Sequence, residues 1–173
     1  MKKEFLIPVA VLFAICLVIS AALAFTNEMT APIIEAAERK AADEARIEML
    51  PEADGFTLLE AEDLPKEVVE IYRANNGAGY VAVLSVSGYG GEIRIICGIS
   101  SEGRIVETKT LIHTETSGIG NKITLEDFTA QFVGTDSELA GVEAITGASI
   151  SSNAYIAAVR SALEAYKIIE GVA

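Results

Sequence analysis

The chain of 173 residues has no tryptophan, one histidine (His113) and two cysteines (Cys16 and Cys97). With one histidine and no Cys-x-x-Cys pair, it offers no ligand set for a zinc site or an iron–sulfur cluster of its own. No metal site is expected, and any redox role needs an organic cofactor. Cys16 falls in an apolar segment and Cys97 in a distant strand-like run, so the two are not expected to pair. Basic residues are also scarce, 13 against 25 acidic, and the formal net charge of −12 argues against nucleic acid as a partner.

One long run does lack charge altogether. From Phe5 to Phe25 the sequence reads FLIPVAVLFAICLVISAALAF, and roughly 20 such residues are what a helix needs to cross the hydrocarbon core of a membrane. Lys2 and Lys3 precede it and the next basic residues are Arg39 and Lys40. That asymmetry puts the N-terminus in the cytoplasm and the rest outside. Ala22-Leu23-Ala24 resembles a signal-peptide cleavage site, but the run exceeds the roughly 7–15 residues of a signal h-region, so a single-pass cell-membrane anchor is preferred. Beyond it Thr30 can cap a new helix and Pro32 fits a first turn. Ile33 to Leu50 is rich in helix formers and Pro51 stops it, which predicts a stalk packed along one side through residues such as Ile33, Ile34, Ile47, Met49 and Leu50.

After Pro51 the pattern becomes β-like. Val68 to Arg73, Gly79 to Val86, Glu92 to Ile99 and Arg104 to Ile112 are strand candidates, with Phe56 to Leu59 a possible edge. They are separated by Asn75-Asn76-Gly77, Gly88-Tyr89-Gly90-Gly91 and Ser101-Glu102-Gly103, links short enough to require antiparallel neighbours. Gly79 to Val86 is apolar at most positions and predicts a strand covered on both faces. The expected fold is α+β: a transmembrane helix (residues 1–26), a helical stalk (27–50), then an extracytoplasmic domain (51–173) built on a twisted antiparallel sheet flanked by helices.

A polar, glycine-rich loop, His113-Thr114-Glu115-Thr116-Ser117-Gly118-Ile119-Gly120, follows the last strand and leads to a helix capped near Thr124 and running to about Phe132. Gly118-Ile119-Gly120 begins like a dinucleotide fingerprint, but Ile123 stands where the third glycine belongs and the strands are antiparallel, which excludes a Rossmann site. On spacing alone the loop can equally be a connector, and His113 reads as a hydrogen-bonded loop residue. The chain closes on a helix from Ser152 to Glu170, with Tyr155, Val159, Ala162, Tyr166 and Ile169 as its core-facing stripe.

Just before that helix, Ile145-Thr146-Gly147-Ala148-Ser149-Ile150-Ser151-Ser152 places four hydroxyls around two small residues. Free amides at a helix N-terminus favour a phosphate, and a hydroxyl there can carry one covalently; the plainer reading of the same residues is helix capping. Gly147-Ala148-Ser149 also begins like a hydrolase nucleophile elbow, but Ser151 replaces the closing glycine.

Three motifs on a membrane-anchored chain of this size, Gly-Tyr-Gly-Gly after a strand, Glu-Thr-x-Gly-x-Gly in a loop and Thr-Gly-Ala-Ser near the C-terminus, resemble the FMN-binding G subunit of the Rnf electron-transport complex. That family is related to the C subunit of the sodium-pumping NADH:quinone reductase. The resemblance spans nearly the whole chain. It implies covalent FMN, joined by a flavin transferase through a phosphoester to the last residue of Glu143-Ala144-Ile145-Thr146-Gly147-Ala148-Ser149, hence to Ser149, with Glu143 as the transferase's recognition residue. It further implies that Glu115 and Thr116 contact the flavin, that Gly118 and Gly120 admit it, and that Thr146 and Gly147, with Ala148 between them and the attachment residue, hold the phosphate. Glu143 and Ser149 depart from the family's commoner Asp and Thr, and Ser117 stands where proline is usual. The implied partners are the other subunits of an Rnf-type complex, the membrane and the transferase. The implied role is a redox subunit without a complete reaction of its own, coupling electron transfer between ferredoxin and NAD to Na+ or H+ transport. The same domain serving a quinone reductase or extracellular electron transfer, or a stalked module without cofactor, are the alternatives.

Overall fold

Glycine- and asparagine-bearing turns fold the middle of the chain back and forth into one five-stranded antiparallel sheet, ordered β1-β2-β3-β4-β5. The strands are β1 (Phe56–Leu58), β2 (Val68–Ala74), β3 (Gly79–Ser87), β4 (Glu92–Ser100) and β5 (Ile105–His113), within a residue of the expected bounds. The computed structural model describes residues 2–61 and 63–171, and within these the side chains of residues 2–8, 10 and 32–39 lie outside the description. Two compact units divide the chain, Met1–Asp43 and Glu44–Ala173.

The first unit is helical. A single helix, α1, runs from Lys2 to Met49 without the expected restart at Thr30. Thr30 does not cap: its hydroxyl donates back to the carbonyls of Thr26 (3.0 Å) and Asn27 (3.4 Å), a bond that a continuing helix accommodates. Val11–Ala31, 21 residues with mean hydropathy 2.0, is long and apolar enough to cross a membrane. The side chains of Lys2, Lys3, Ile33, Ile34 and Arg39, on which part of the orientation and stalk reading rests, lie outside the described residues.

In the second unit the sheet is covered on both faces, as the apolar run in β3 predicts. One face packs on α3 (Ser149–Glu170): Leu84, Ile93, Ile95, Cys97 and Ile99 meet Tyr155, Ala158, Val159, Ala162 and Leu163, all buried. Tyr155 is fully buried, its ring 5.4 Å from those of both Phe128 and Phe132 and its hydroxyl 2.9 Å from that of Thr108. Burial lifts this phenol well above its usual range, against the pull of the Thr108 hydrogen bond, and pushes the buried Cys97 thiol up to about 12. The other face packs on the last turn of α1, where Met49 and Leu50 meet Ala74, Val81 and Ile96. Ile47, expected to pack, is exposed.

Between β5 and α3 the expected helix is three short pieces: a 3-10 turn at Gly120–Thr124, a four-residue helix α2 (Glu126–Thr129) and a 3-10 turn at Ala130–Phe132. Leu125, extended at φ −78°, ψ 143°, interrupts the run, and Thr124 donates to Asn121 instead of capping. α3 itself begins at Ser149, three residues earlier than the sequence predicts.

Candidate functional site

Because α3 starts early, the hydroxyl-bearing turn is divided between a loop and the first helical turn. Ala148 is the N-cap, and no side chain caps the amides that follow. The capping reading of these hydroxyls therefore does not hold. Their positions differ sharply. The hydroxyl of Ser152, fully buried, accepts from the Ile145 amide (3.1 Å) and donates to the Ala148 carbonyl (2.8 Å), pinning the turn shut. Ser151, also buried, donates to Glu115 Oε2 at 2.7 Å. Thr146 and Ser149 are exposed, and among the described residues neither hydroxyl has a hydrogen-bond partner. Gly147 holds the turn's left-handed conformation, φ +84°, and a Cβ there would meet no atom within 4 Å.

Two further loops converge on this end of the helix. In the β3–β4 turn the Gly88 amide donates to the Gly91 carbonyl (2.7 Å), and the turn is tied to the loop after β5 by the Thr114 hydroxyl on the Gly90 carbonyl (3.0 Å) and the Gly90 amide on Glu115 Oε1 (3.1 Å). The loop after β5 is not a loose connector. The amides of Ile119 and Asn121 both donate to the Thr116 carbonyl, the Gly118 amide donates to Asn121 Oδ1 (2.8 Å), and the Glu115 amide donates to His113 Nδ1 (3.2 Å). His113 is hydrogen-bonded, as its isolation suggests, but it is the last residue of β5 and not a loop residue. Among the described residues no histidine is hydrogen-bonded to Ser149, which leaves the hydrolase reading without a base.

Between the three segments lies a cleft of about 460 Å³, within the size range of small-ligand and cofactor sites. Of the residues that the resemblance implies around the flavin, Glu115, Thr116, Gly120, Gly147, Ala148 and Ser149 line it, whereas Thr146 and Gly118 do not; Glu143, implied as the transferase's recognition residue, lies outside it. Glu143 is exposed, with its backbone amide held by Gln131 Oε1 at 2.9 Å. Four lining residues are not among the cofactor contacts expected from the sequence, although all four lie in its motifs: Tyr89, Ile119, Ile150 and Ser151. The first three are exposed apolar side chains, each standing alone in a polar, glycine-rich or hydroxyl-rich stretch, and that isolation is the signal that could have found them. Together they give the cleft apolar walls suited to a flat ring. The uncapped amides of α3 give it an anion-binding end, and Ser149 puts a free hydroxyl at that end.

Comparison with known proteins fits this geometry. Residues 88–164, which contain all three converging segments, match the FMN-binding domain family. The chain is 33% identical to the G subunit of the Na+-translocating ferredoxin:NAD+ oxidoreductase complex of Acetobacterium woodii, covering 91% of this chain and 89% of the relative. It is 33% identical to the G subunit of the ion-translocating oxidoreductase complex of Methanosarcina acetivorans, covering 98% of each. It is 23% identical to the proton-translocating counterpart of Clostridium ljungdahlii, covering 86% of this chain and 84% of the relative. With a flavin-binding region around its cleft and an apolar helix to anchor it, the chain belongs to the family of G subunits of ion-translocating oxidoreductase complexes.

Proposed function

We propose that this protein is the electron-relay subunit of an Rnf-type membrane complex and that it carries FMN covalently on Ser149. One observation supports that residue above its neighbours. Of the four hydroxyls in the turn, two are buried in protein hydrogen bonds, and of the two that are free only Ser149 lines the cleft. Attachment forms one phosphoester bond between Ser149 Oγ and the phosphate of FMN, with net loss of one water, and a flavin transferase that reads the exposed Glu143 performs it.

The chain's own groups fit the cofactor. The amides that open α3 offer donors to a phosphate held at Ser149, with Gly147 and Thr146 keeping the backbone accessible beside it. Tyr89, Ile119 and Ile150 offer apolar surface to the ring and exclude water from it, and Thr116 offers a hydroxyl to the polar ribityl chain. Gly118 and Gly120 keep that loop free of side chains. When bound, FMN supplies the electron-transfer chemistry, while the protein supplies its position and surroundings.

The remaining roles follow from the relatives. By analogy with the complexes for which they are named, the chain works with the other subunits of its own complex, passing electrons between ferredoxin and NAD while the complex moves Na+ or H+. Lys2 and Lys3 before the span support a cytoplasmic N-terminus, with the flavin domain on the opposite side. Intact mass after denaturation tests the central claim on protein co-expressed with a flavin transferase. Wild type and Thr146→Ala are expected to carry an adduct of FMN mass less water, and Ser149→Ala to carry none. An adduct that survives in Ser149→Ala and disappears in Thr146→Ala would move the attachment; an unmodified wild type would remove it.

A further inference from the structure

We propose that Glu115 is the positioning residue that assembles the cleft, one buried carboxylate joining all three of its segments. The inference rests on the reading that this cleft seats the flavin, but the device is built from protein atoms alone. Glu115 is 8% exposed. Its Oε1 accepts from the Gly90 amide in the β3–β4 turn (3.1 Å) and its Oε2 from the Ser151 hydroxyl in the first turn of α3 (2.7 Å), while its own backbone belongs to the loop after β5. A side chain expected to reach for the cofactor therefore has both oxygens engaged by the protein.

The glycines around it show how closely the site is fitted to that carboxylate. A Cβ on Gly88 would lie 2.1 Å from Glu115 Oε1, with the movable end of Ile93 next at 2.5 Å, and one on Gly120 would lie 2.4 Å from Oε2. A Cβ on Gly90 would lie 2.4 Å from the Thr114 carbonyl and 3.0 Å from the Glu115 Cα. None of these three glycines adopts a positive φ, so backbone conformation does not demand glycine at any of them. The space taken by Glu115 and its loop does. Gly147 and Gly118 are the reverse case, with positive φ and nothing within 4 Å of an added Cβ.

The bonding pattern dictates which substitutions preserve the device. Ala leaves the Gly90 amide and the buried Ser151 hydroxyl without partners. Gln satisfies both, its oxygen accepting from Gly90 and its nitrogen donating to Ser151 Oγ, because a hydroxyl can also accept. Hydrogen exchange is measured on the full chain without cofactor, in detergent. In Glu115→Ala the Gly90 amide is expected to exchange about tenfold faster or more, whereas Glu115→Gln keeps the wild-type rate. Gly88→Ala, which crowds Oε1, is expected to behave like Glu115→Ala, and Gly147→Ala to leave Gly90 unaffected. These two keep the test decisive if Glu115→Ala does not fold.

On the flavin-loaded chain, iodide quenching of flavin fluorescence reads the cleft directly: severalfold stronger in Glu115→Ala, unchanged in Glu115→Gln. Wild-type protection of Gly90 in both Glu115→Ala and Gly88→Ala, equal loss in Glu115→Gln, or quenching indifferent to Glu115→Ala would each overturn the assignment. If the wild type takes up no flavin, the functional reading fails, while exchange at Gly90 still decides whether Glu115 holds the segments together.

Discussion

The two faces of the sheet are covered in different ways. One lies under α3, 22 residues long and buried along much of its length. The other meets the last turn of α1 and the few residues after it. The first face is a broad aromatic and aliphatic core that fixes where the cleft's helix begins. The second is a small contact that depends on a close backbone approach: Gly98, in β4, has the Met49 carbonyl where its Cβ would be, at 2.0 Å. On the proposed reading the flavin phosphate sits at the N-terminus of α3, and the wide core holds that helix in place. The narrow contact seats the end of α1 on the sheet. The compact unit accordingly begins at Glu44, seven residues before the boundary that Pro51 suggests.

Emptying the wide core should have the largest effect. Tyr155→Ala removes a fully buried ring packed on Phe128 and Phe132, and a loss of about 3–5 kcal/mol is expected in urea unfolding of the full chain. A loss under about 1 kcal/mol would mean that α3 is not the anchor of the domain.

The same face should make the protein sensitive to alkali. In the folded chain Cys97 keeps its proton up to about 12, whereas an exposed thiol releases it near 9.0. Between those values the folded state binds more protons than the unfolded one, so stability falls as pH rises, by about 1.4 kcal/mol per unit for each such group. Tyr155 adds a slope of the same sign above 10.0. Below pH 9 neither contributes. Urea midpoints taken from pH 8 to 11 are expected to be flat and then fall, and Cys97→Ala should weaken the slope that begins near 9. An unchanged slope in that variant would assign the effect to other groups.

Much of this could be read from the chain, and the exceptions share a cause. The strands were legible because alternation and turn residues agree, and the Glu115 loop and the Thr146 to Ser149 turn were legible as motifs. What could not be read is what distant residues impose. Ser151 becomes helical with its hydroxyl on Glu115, 36 positions away, and this contact, with the Ser152 staple, accompanies an α3 that starts at Ser149. Thr30 is the local exception to that cause: it looks like a cap, yet it continues the helix by bonding back to Thr26, four residues away. Tyr89 and Ile119 stand singly in loops and Ile150 in the first turn of α3, and only the fold brings them around one cleft.

The narrow face should break by crowding. Gly98→Ala puts a carbon 2.0 Å from the Met49 carbonyl oxygen and 2.8 Å from its carbon, neither of which is a flexible side-chain end. A cost of about 1–3 kcal/mol is expected, with faster proteolysis between residues 44 and 55 and normal flavin loading. Loss of loading in Gly98→Ala would show that the two faces are not separable.

The smallest effect expected sharpens the same point. Lys109 holds both oxygens of Glu48, at 2.8 and 2.7 Å, across the narrow face, and by inspection this ion pair looks like the clamp on the end of α1. Its side chains are 51% and 55% exposed, however. Water and salt screen such a pair, and holding two long side chains in one geometry offsets most of the remainder. Lys109→Ala should therefore shift the unfolding free energy by no more than about 0.5 kcal/mol, with less effect still at high salt. Met49 is fully buried beside it, and its removal is expected to cost about 2 kcal/mol or more. If Lys109→Ala costs as much as Met49→Ala, the helix end is held by charge. If it costs as little as expected, the fit of Met49 against Gly98 and the apolar residues around it holds the end of α1 on the sheet.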